Sequence, residues 1–344
     1  MAYTTINKHT DHFNTVLYTG NATDNRTVTG VGFQPDWLWI KNRIDTEQHR
    51  LQDAVRGATK NIKSSGTGVE ETTSTNVKSF DSDGFTLGTD NAVNGNTDAM
   101  VSWNWKANGQ GSANTTGTIN SSYTSANTTS GFSIVTYTGT GTAGTIGHGL
   151  GAVPTMIITK SLNYAEGWYC YHVSLGNGAS IVLNTTAISY SSSNWNNTTP
   201  TSSVFSVGTG DTNTNGRTYV AYCFADKTGF SKAGHYYGNG NANGTFTYTG
   251  FKPTWIMGKK VDGATNNWYL FDGVRDTFNL TTKKLRPDTS AAENDNSSKA
   301  IDIYSNGFKI KNTDAEFNNN GDKYIYLAFG QSLVGSNNVP CTAR

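Results

Sequence analysis

The feature that most restricts this chain is a short phrase written three times. Tyr18-Thr19-Gly20 returns as Tyr137-Thr138-Gly139 and as Tyr236-Tyr237-Gly238. A proline stands 17 residues after the first tyrosine of each: Pro35, Pro154 and Pro253. The 344 residues hold only 6 prolines, so three equal spacings point to one unit repeated three times. Each proline lies between a Gly-rich turn and an apolar run, in GVGFQPDWLWIKNR, GHGLGAVPTMIITKS and YTGFKPTWIMGKK. Proline at the start of a strand costs no ladder hydrogen bond.

Further blocks keep the same order. His49 to Gly57 (HRLQDAVRG) aligns with Trp168 to Gly176 and with Trp268 to Asp276. Phe85, Phe205 and Phe308 align next, and each unit closes on an aromatic alternating strand: Met100 to Trp105, Tyr219 to Phe224 and Tyr324 to Phe329. Every alignment preserves alternation, so matched side chains face the same side of a sheet. The units span residues 12–108, 131–227 and 228–334. Segment 109–130 is so poor in apolar residues that it predicts a polar linker. The tight join Asp226-Lys227-Thr228-Gly229 predicts rigid packing of the second and third units, with the first more mobile. Residues 1–11 and 335–344 are expected as terminal arms, candidates for docking.

Composition sets the fold class. Asn, Thr, Ser and Gly together number 156, against 13 Leu, which disfavours helical bundles. Short Thr-, Val-, Ile- and aromatic-rich runs separated by Gly and Asn predict an all-β protein. Six to eight strands in about 100 residues suit a β-sandwich, so the expectation is three tandem homologous β-sandwich-like repeats. One large barrel or a three-bladed propeller fits less well, since a blade takes only about 40–50 residues. Asp83-Gly84, Asn94-Gly95 and Asn306-Gly307 are the expected tight turns, and Asp53 to Ile62 is the one plausible helical piece. Aromatics at 12% exclude a disordered chain. A net charge of +1 offers no footprint for nucleic acid or an anionic membrane. No apolar run approaches the ~18 residues of a membrane span, and MAYTTINKHT lacks the pattern of a secretory signal.

No set of residues composes a catalytic, cofactor or metal site. Gly139-x-Gly141-x-x-Gly144 matches a dinucleotide fingerprint but is followed by Thr-Ile-Gly-His-Gly-Leu-Gly, which cannot open the helix that motif needs. His9 and His12 flank Asp11 in the N-terminal arm, a weak metal pattern; His49, His148, His172 and His235 are scattered. Cys170 and Cys223 sit in strand-like WYCYH and AYCFA and read as small buried side chains. Asp53-x-x-Arg56 and Asp272-x-x-Arg275 occupy matching places, whereas the middle unit has His172 and Leu175 there, which favours a structural corner. Trp37/Trp39 and Trp103/Trp105 each line one strand face. Such a face stacks on sugars or fills a sandwich interior, and free exchange with aliphatics in the other units favours the interior. The Asn-Thr-Thr sequons at Asn114, Asn127, Asn184 and Asn197 are expected by chance in so Asn- and Thr-rich a chain.

The phrases GFQPDWLWIKNR, HRLQDAVRGATK, SFDSDGFTLG, GHGLGAVPTMIITK, TPTSSVFSVGT, TYVAYCFADKTGFSKAG and VPCTAR together resemble virion structural proteins of marine tailed phages, such as cyanophages and pelagiphages, described as tail-fibre-like or virion-associated. The resemblance covers essentially the whole chain. It implies a particle component rather than an enzyme, assembled in the host cytoplasm and released by lysis, and it carries no site residues. Its expected partners are other virion proteins, and a host surface glycan for a tail fibre or appendage. Capsid decoration, as a head fibre, is one alternative. The other is a glycan-cleaving depolymerase, for which Asp53, Asp272 and the pair Asp81/Asp83 are the candidate carboxylates. A pseudo-threefold monomer and a true trimer both satisfy three units in one chain.

Overall fold

A computed structural model of the chain describes residues 3–334. The first stretch runs through β1 (Phe13–Thr19), β2 (Arg26–Thr29), β3 (Trp37–Asn42), β4 (Arg50–Asp53), β5 (Gly57–Ile62), β6 (Glu71–Thr72), β7 (Val77–Asp81), β8 (Gly84–Leu87), the one-turn helix α1 (Asn91–Asn94) and β9 (Ala99–Trp105). The second comprises β10 (Ser112–Asn114), β11 (Ser121–Asn127), β12 (Phe132–Thr138), β13 (Gly144–Gly147), β14 (Met156–Ser161), β15 (Trp168–His172), β16 (Ala179–Val182), β17 (Tyr190–Ser191), β18 (Val204–Val207) and β19 (Thr218–Phe224). The third comprises β20 (Ser231–Tyr237), β21 (Phe246–Tyr248), β22 (Phe251–Lys260), β23 (Tyr269–Asp272), β24 (Lys283–Lys284), β25 (Asn294–Asp295), β26 (Ile301–Tyr304), β27 (Gly307–Ile310) and β28 (Lys323–Ser332).

The protein is all-β, and its named strand pairs are antiparallel. One strand order occurs in all three stretches: β1-β9-β3-β4, β12-β19-β14-β15 and β20-β28-β22-β23. A smaller sheet accompanies each: β2-β8-β7, β13-β18 and β21-β27-β26. The registers agree as well. Trp37, Met156 and Trp255 lie opposite Trp105, Phe224 and Phe329 on one neighbour and opposite Asp53, His172 and Asp272 on the other.

The central strands of each large sheet are buried on both faces, and for this reason β3 and β14 are buried at every position. One face packs on the small sheet of its own unit. Val28, Leu38, Ile40 and Phe85 form that core in the first unit, Tyr137, Ile157, Phe205 and Tyr219 in the second, and Phe251, Ile256, Phe308 and Tyr324 in the third. The opposite face meets the other two units. Trp37, Trp39, Trp103 and Trp105 join Phe132, Tyr222 and Phe224, and Trp255, Leu327 and Phe329, in a single central cluster. Trp37 stacks on Tyr222 at 4.4 Å between ring centroids, Trp105 meets Trp255 edge-on at 5.5 Å, and Phe224 meets Phe329 at 5.9 Å. First to second, first to third and second to third units all touch, which closes a ring.

The tryptophan ribbons are thus buried between units, not inside one sandwich. The first unit supplies four tryptophans to the centre, so nothing in its packing sets it apart as the looser one. Segment 109–130 is not a bare linker: β10 and β11 extend the second unit's large sheet, with β11 pairing along β12. Its Ser, Thr and Asn suit strands at the margin of a sheet, where only a few side chains are buried. Residues 53–62 form a turn and then β5 rather than a helix. The helical turn lies at Asn91–Asn94, capped by the Asp90 carboxylate accepting from Ala92 N–H. Asn94-Gly95 closes that turn instead of a hairpin, with Gly95 at φ −53°. Pro253 sits within β22 at a register shift, where a missing N–H is tolerated. The N-terminal segment docks within the chain: the Tyr3 hydroxyl donates to Gly250 O at 2.6 Å, and Ile6 is buried in the central cluster. The expected arm 335–344 lies outside the described residues.

Candidate functional site

The two carboxylates with the strongest claim to chemistry are spent at the joints. Asp53 is fully buried and accepts from Arg56 twice, from the backbone N–H at 2.9 Å and from Nε at 2.5 Å. Its Oδ2 also accepts from the Tyr222 hydroxyl of the second unit at 2.7 Å. Asp272 binds Arg275 in the same way, at 2.8 Å and 2.5 Å, and accepts from the Trp103 indole of the first unit at 3.0 Å. The middle unit has His172 in this place. The third unit has Leu327 at the register place of Tyr222 and Trp103, and the His172 Nε2–H donates instead to Tyr326 O at 3.1 Å. One position per unit therefore reaches the closing strand of the next: first to second, second to third, third to first. Burial of the two arginines is offset by their anions, which hold both guanidinium pKa values above normal; Glu70 and Glu293 add second anions at 3.1 and 2.8 Å.

A second ring runs in the opposite sense. The Trp168 indole donates to Lys63 O at 3.0 Å, and the Trp268 indole to Val182 O at 3.1 Å, each on the preceding unit. His49 fills the matching place in the first unit and donates from Nε2 to Arg286 O of the third at 3.0 Å. A tryptophan and a histidine are interchangeable here because both offer one ring N–H at the far edge of a flat side chain.

Buried imidazoles make the joints acid-sensitive. His49 Nδ1 accepts from the Trp39 indole at 2.8 Å, and His172 Nδ1 accepts from Ser174 N–H at 3.1 Å. With Nε2 donating, both rings are neutral and have no room for a second proton. Burial pushes His49 well below the ordinary histidine value and His172 down to about 4. The unfolded chain, titrating near 6.5, then binds protons first as pH falls, so stability is lost between about pH 6.5 and 4. His172→Gln keeps a donor and an acceptor but cannot titrate. Denaturant midpoints measured from pH 7 to 4.5 are expected to fall less steeply in this variant than in the wild type. Identical slopes would exclude His172 as an acid-labile contact.

Two repeated features escape a reading of the motifs. Lys41, Lys160 and Lys259 each stand six residues after the repeat proline and are fully buried. Burial lowers each to about 8, and each ammonium donates to backbone carbonyls: Lys41 to Asn42 O and Asp45 O, Lys160 to Thr67 O of the first unit, Lys259 to Thr186 O of the second. Asn94, Asn213 and Asn318 each accept from the loop after the Tyr-x-Gly phrase and donate back across it. The recurring lysine was the available signal. Expecting lysine on the surface hides it.

The remaining candidates are dispersed. Asp81 accepts from Ser79 and Thr86 hydroxyls at 2.8 Å, and Asp83 accepts from Gly30 and Gly32 N–H, so both fasten turns of the first unit. The glycine fingerprint leads into β13, a strand, with Gly141 N–H donating to Asn213 O at 2.8 Å. His9 contacts Gln331 at 2.8 Å, and Asp11 pairs with Lys8 at 3.1 Å. Among the described residues no three His, Cys, Asp or Glu side chains are grouped to hold a metal ion, and no helix is long and apolar enough to cross a membrane. Cys170 and Cys223 are free and buried, and burial raises both thiols, Cys223 to about 12. Open surfaces with depth include a cavity of about 380 Å³ beside Phe13, Lys252 and Val274, and a groove of about 640 Å³ along β20 and β21.

Comparison with curated proteins and with solved structures gives no match. A family model matches residues 8–332, nearly the whole length and all three units. The chain therefore belongs to the family described as a domain of unknown function, DUF7483.

Proposed function

We propose that this chain is a structural component of a phage particle, a tail fibre or appendage, built from a triplicated β module that displays loops to a host surface or to neighbouring subunits. One observation carries the reading: the three large sheets close on a shared aromatic core, and the buried acids Asp53 and Asp272 tie one unit to the next. A body tied together at a shared core presents its loops and sheet edges outward, where binding surfaces commonly lie. Its weak charge suits contact over electrostatic capture. The resemblance of its phrases to marine-phage virion proteins points the same way.

The test is to purify particles of the phage that encodes the chain, detect it by mass spectrometry and place it by gold-labelled antibody. The chain is expected on the tail in stoichiometric amount. Absence from the particle overturns the reading. So does shortening of host polysaccharide by the purified protein, which marks a depolymerase instead.

A further inference from the structure

The three matching registers allow each surface position to be compared across units, and one surface departs from the pattern. Opposite Phe85, Phe205 and Phe308 lie Val28, Ile146 and Thr247. The residues before these are Thr27, Thr145 and Phe246, and those after are Thr29, Gly147 and Tyr248. The position after the repeat tyrosine holds Thr19, Thr138 and Tyr237. The third unit thus puts three aromatics where the others have Thr or Gly. Tyr237 and Tyr248 are each 53% exposed and Phe246 43%, so the fold does not need them for burial.

The space between them has its own cause. Val16 opposite Ser102 and Val135 opposite Ala221 become Gly234 opposite Tyr326. A Cβ on Gly234 would lie 2.6 Å from the Tyr326 hydroxyl, so the tyrosine ring lies where a valine side chain would begin. The result is the groove of about 640 Å³, within the ~300–1,000 Å³ typical of small-molecule sites. His235, Asn239 and Thr245 supply polar groups at its rim, and Lys232 lies 5.6 Å from the Tyr248 ring centre.

We propose that this groove binds a saccharide. A pyranose offers apolar C–H faces to aromatic rings and hydroxyls to a polar rim, and half-exposed tyrosines with a polar tip meet both. The alternative, an added β-strand, fits less well. In the second unit β11 lies along the corresponding edge. In the third, both ends of that edge are already engaged: Ala233 N–H donates to the Asp226 carboxylate at 2.8 Å, Ser231 O accepts from Lys227 N–H at 3.1 Å, and Tyr237 O accepts from the Thr245 hydroxyl at 2.6 Å. The inference rests on the display reading and specifies where contact is made.

The full chain is screened by saturation-transfer NMR against short oligosaccharides of hexose, N-acetylhexosamine and hexuronic acid. Hits are titrated into wild type, into Tyr237→Thr/Phe246→Thr/Tyr248→Thr, and into Gly234→Val/Tyr326→Ser. The first variant writes first-unit residues onto exposed positions, and its thermal midpoint should be unchanged. The second restores the first unit's Val–Ser pair and takes the Tyr326 ring out of the groove wall. Binding to wild type, weakened at least about tenfold in the triple variant, is the expected result. No transfer from any of the three classes, or equal binding by the triple variant, overturns the proposal. Concentration-dependent dimerisation abolished by the triple variant, without saccharide binding, also overturns it and assigns the edge to a second copy. Failure here with the chain present on the particle refutes this site and leaves the virion reading standing.

Discussion

Replacing Trp37 with alanine is expected to lower the stability of the whole chain by about 3–5 kcal/mol. Trp37 is 1% exposed, yet few of its ring contacts are within its own small-sheet sandwich. It packs on Trp105 at 4.4 Å and on Tyr222 at 4.4 Å, and reaches Phe132 and Phe224 of the second unit at 5.7 and 5.9 Å. Its indole N–H has no hydrogen-bond partner among the described residues, so the substitution removes one unsatisfied donor, a gain of about 1–3 kcal/mol at most that trims the loss. Urea unfolding followed by tryptophan fluorescence measures the effect. A loss below about 1 kcal/mol would mean that the first and second units do not depend on this contact.

Asp53→Ala is expected to cost about as much, 3–5 kcal/mol, for a different reason. Arg56 is buried, and it would lose the anion that holds two of its contacts while Tyr222 lost its acceptor. Glu70 at 3.1 Å remains and limits the damage. The double variant Asp53→Ala/Arg56→Met removes both charges and is expected to recover most of the loss, because Glu70 keeps Lys60 at 3.5 Å and no ion is left buried and unpaired. Asp272→Ala should behave alike through Arg275 and Trp103. A double variant no better than Asp53→Ala would show that shape, not charge, is what the joint requires.

The sequence discloses strands and registers here because alternation and a repeated proline fix which residues share a face. It does not disclose what that face meets. Trp37 and Trp39 on one side of β3 favour an interior, since aliphatics replace them in the other units, but do not say which interior. The deciding fact, that Leu38 and Ile40 on the other side already fill the sandwich, needs the small sheet in place. The WLWI and MIIT runs carried a hint, since unbroken apolar strands belong to sheets covered on both faces. β11 was hidden for the opposite reason: SSYTSAN lacks an apolar stripe and draws its stability from pairing with β12. The Asp53 and Asp272 turns were legible as corners, but their reach to Tyr222 and Trp103 depends on the ring closing. Nothing in the spacing of one unit reports that closure.

Differential scanning calorimetry of the intact chain tests the shared core most directly. A common centre requires the three units to melt together, in one transition whose calorimetric and van't Hoff enthalpies agree. Two or three resolved transitions, each carrying part of the heat, would contradict it.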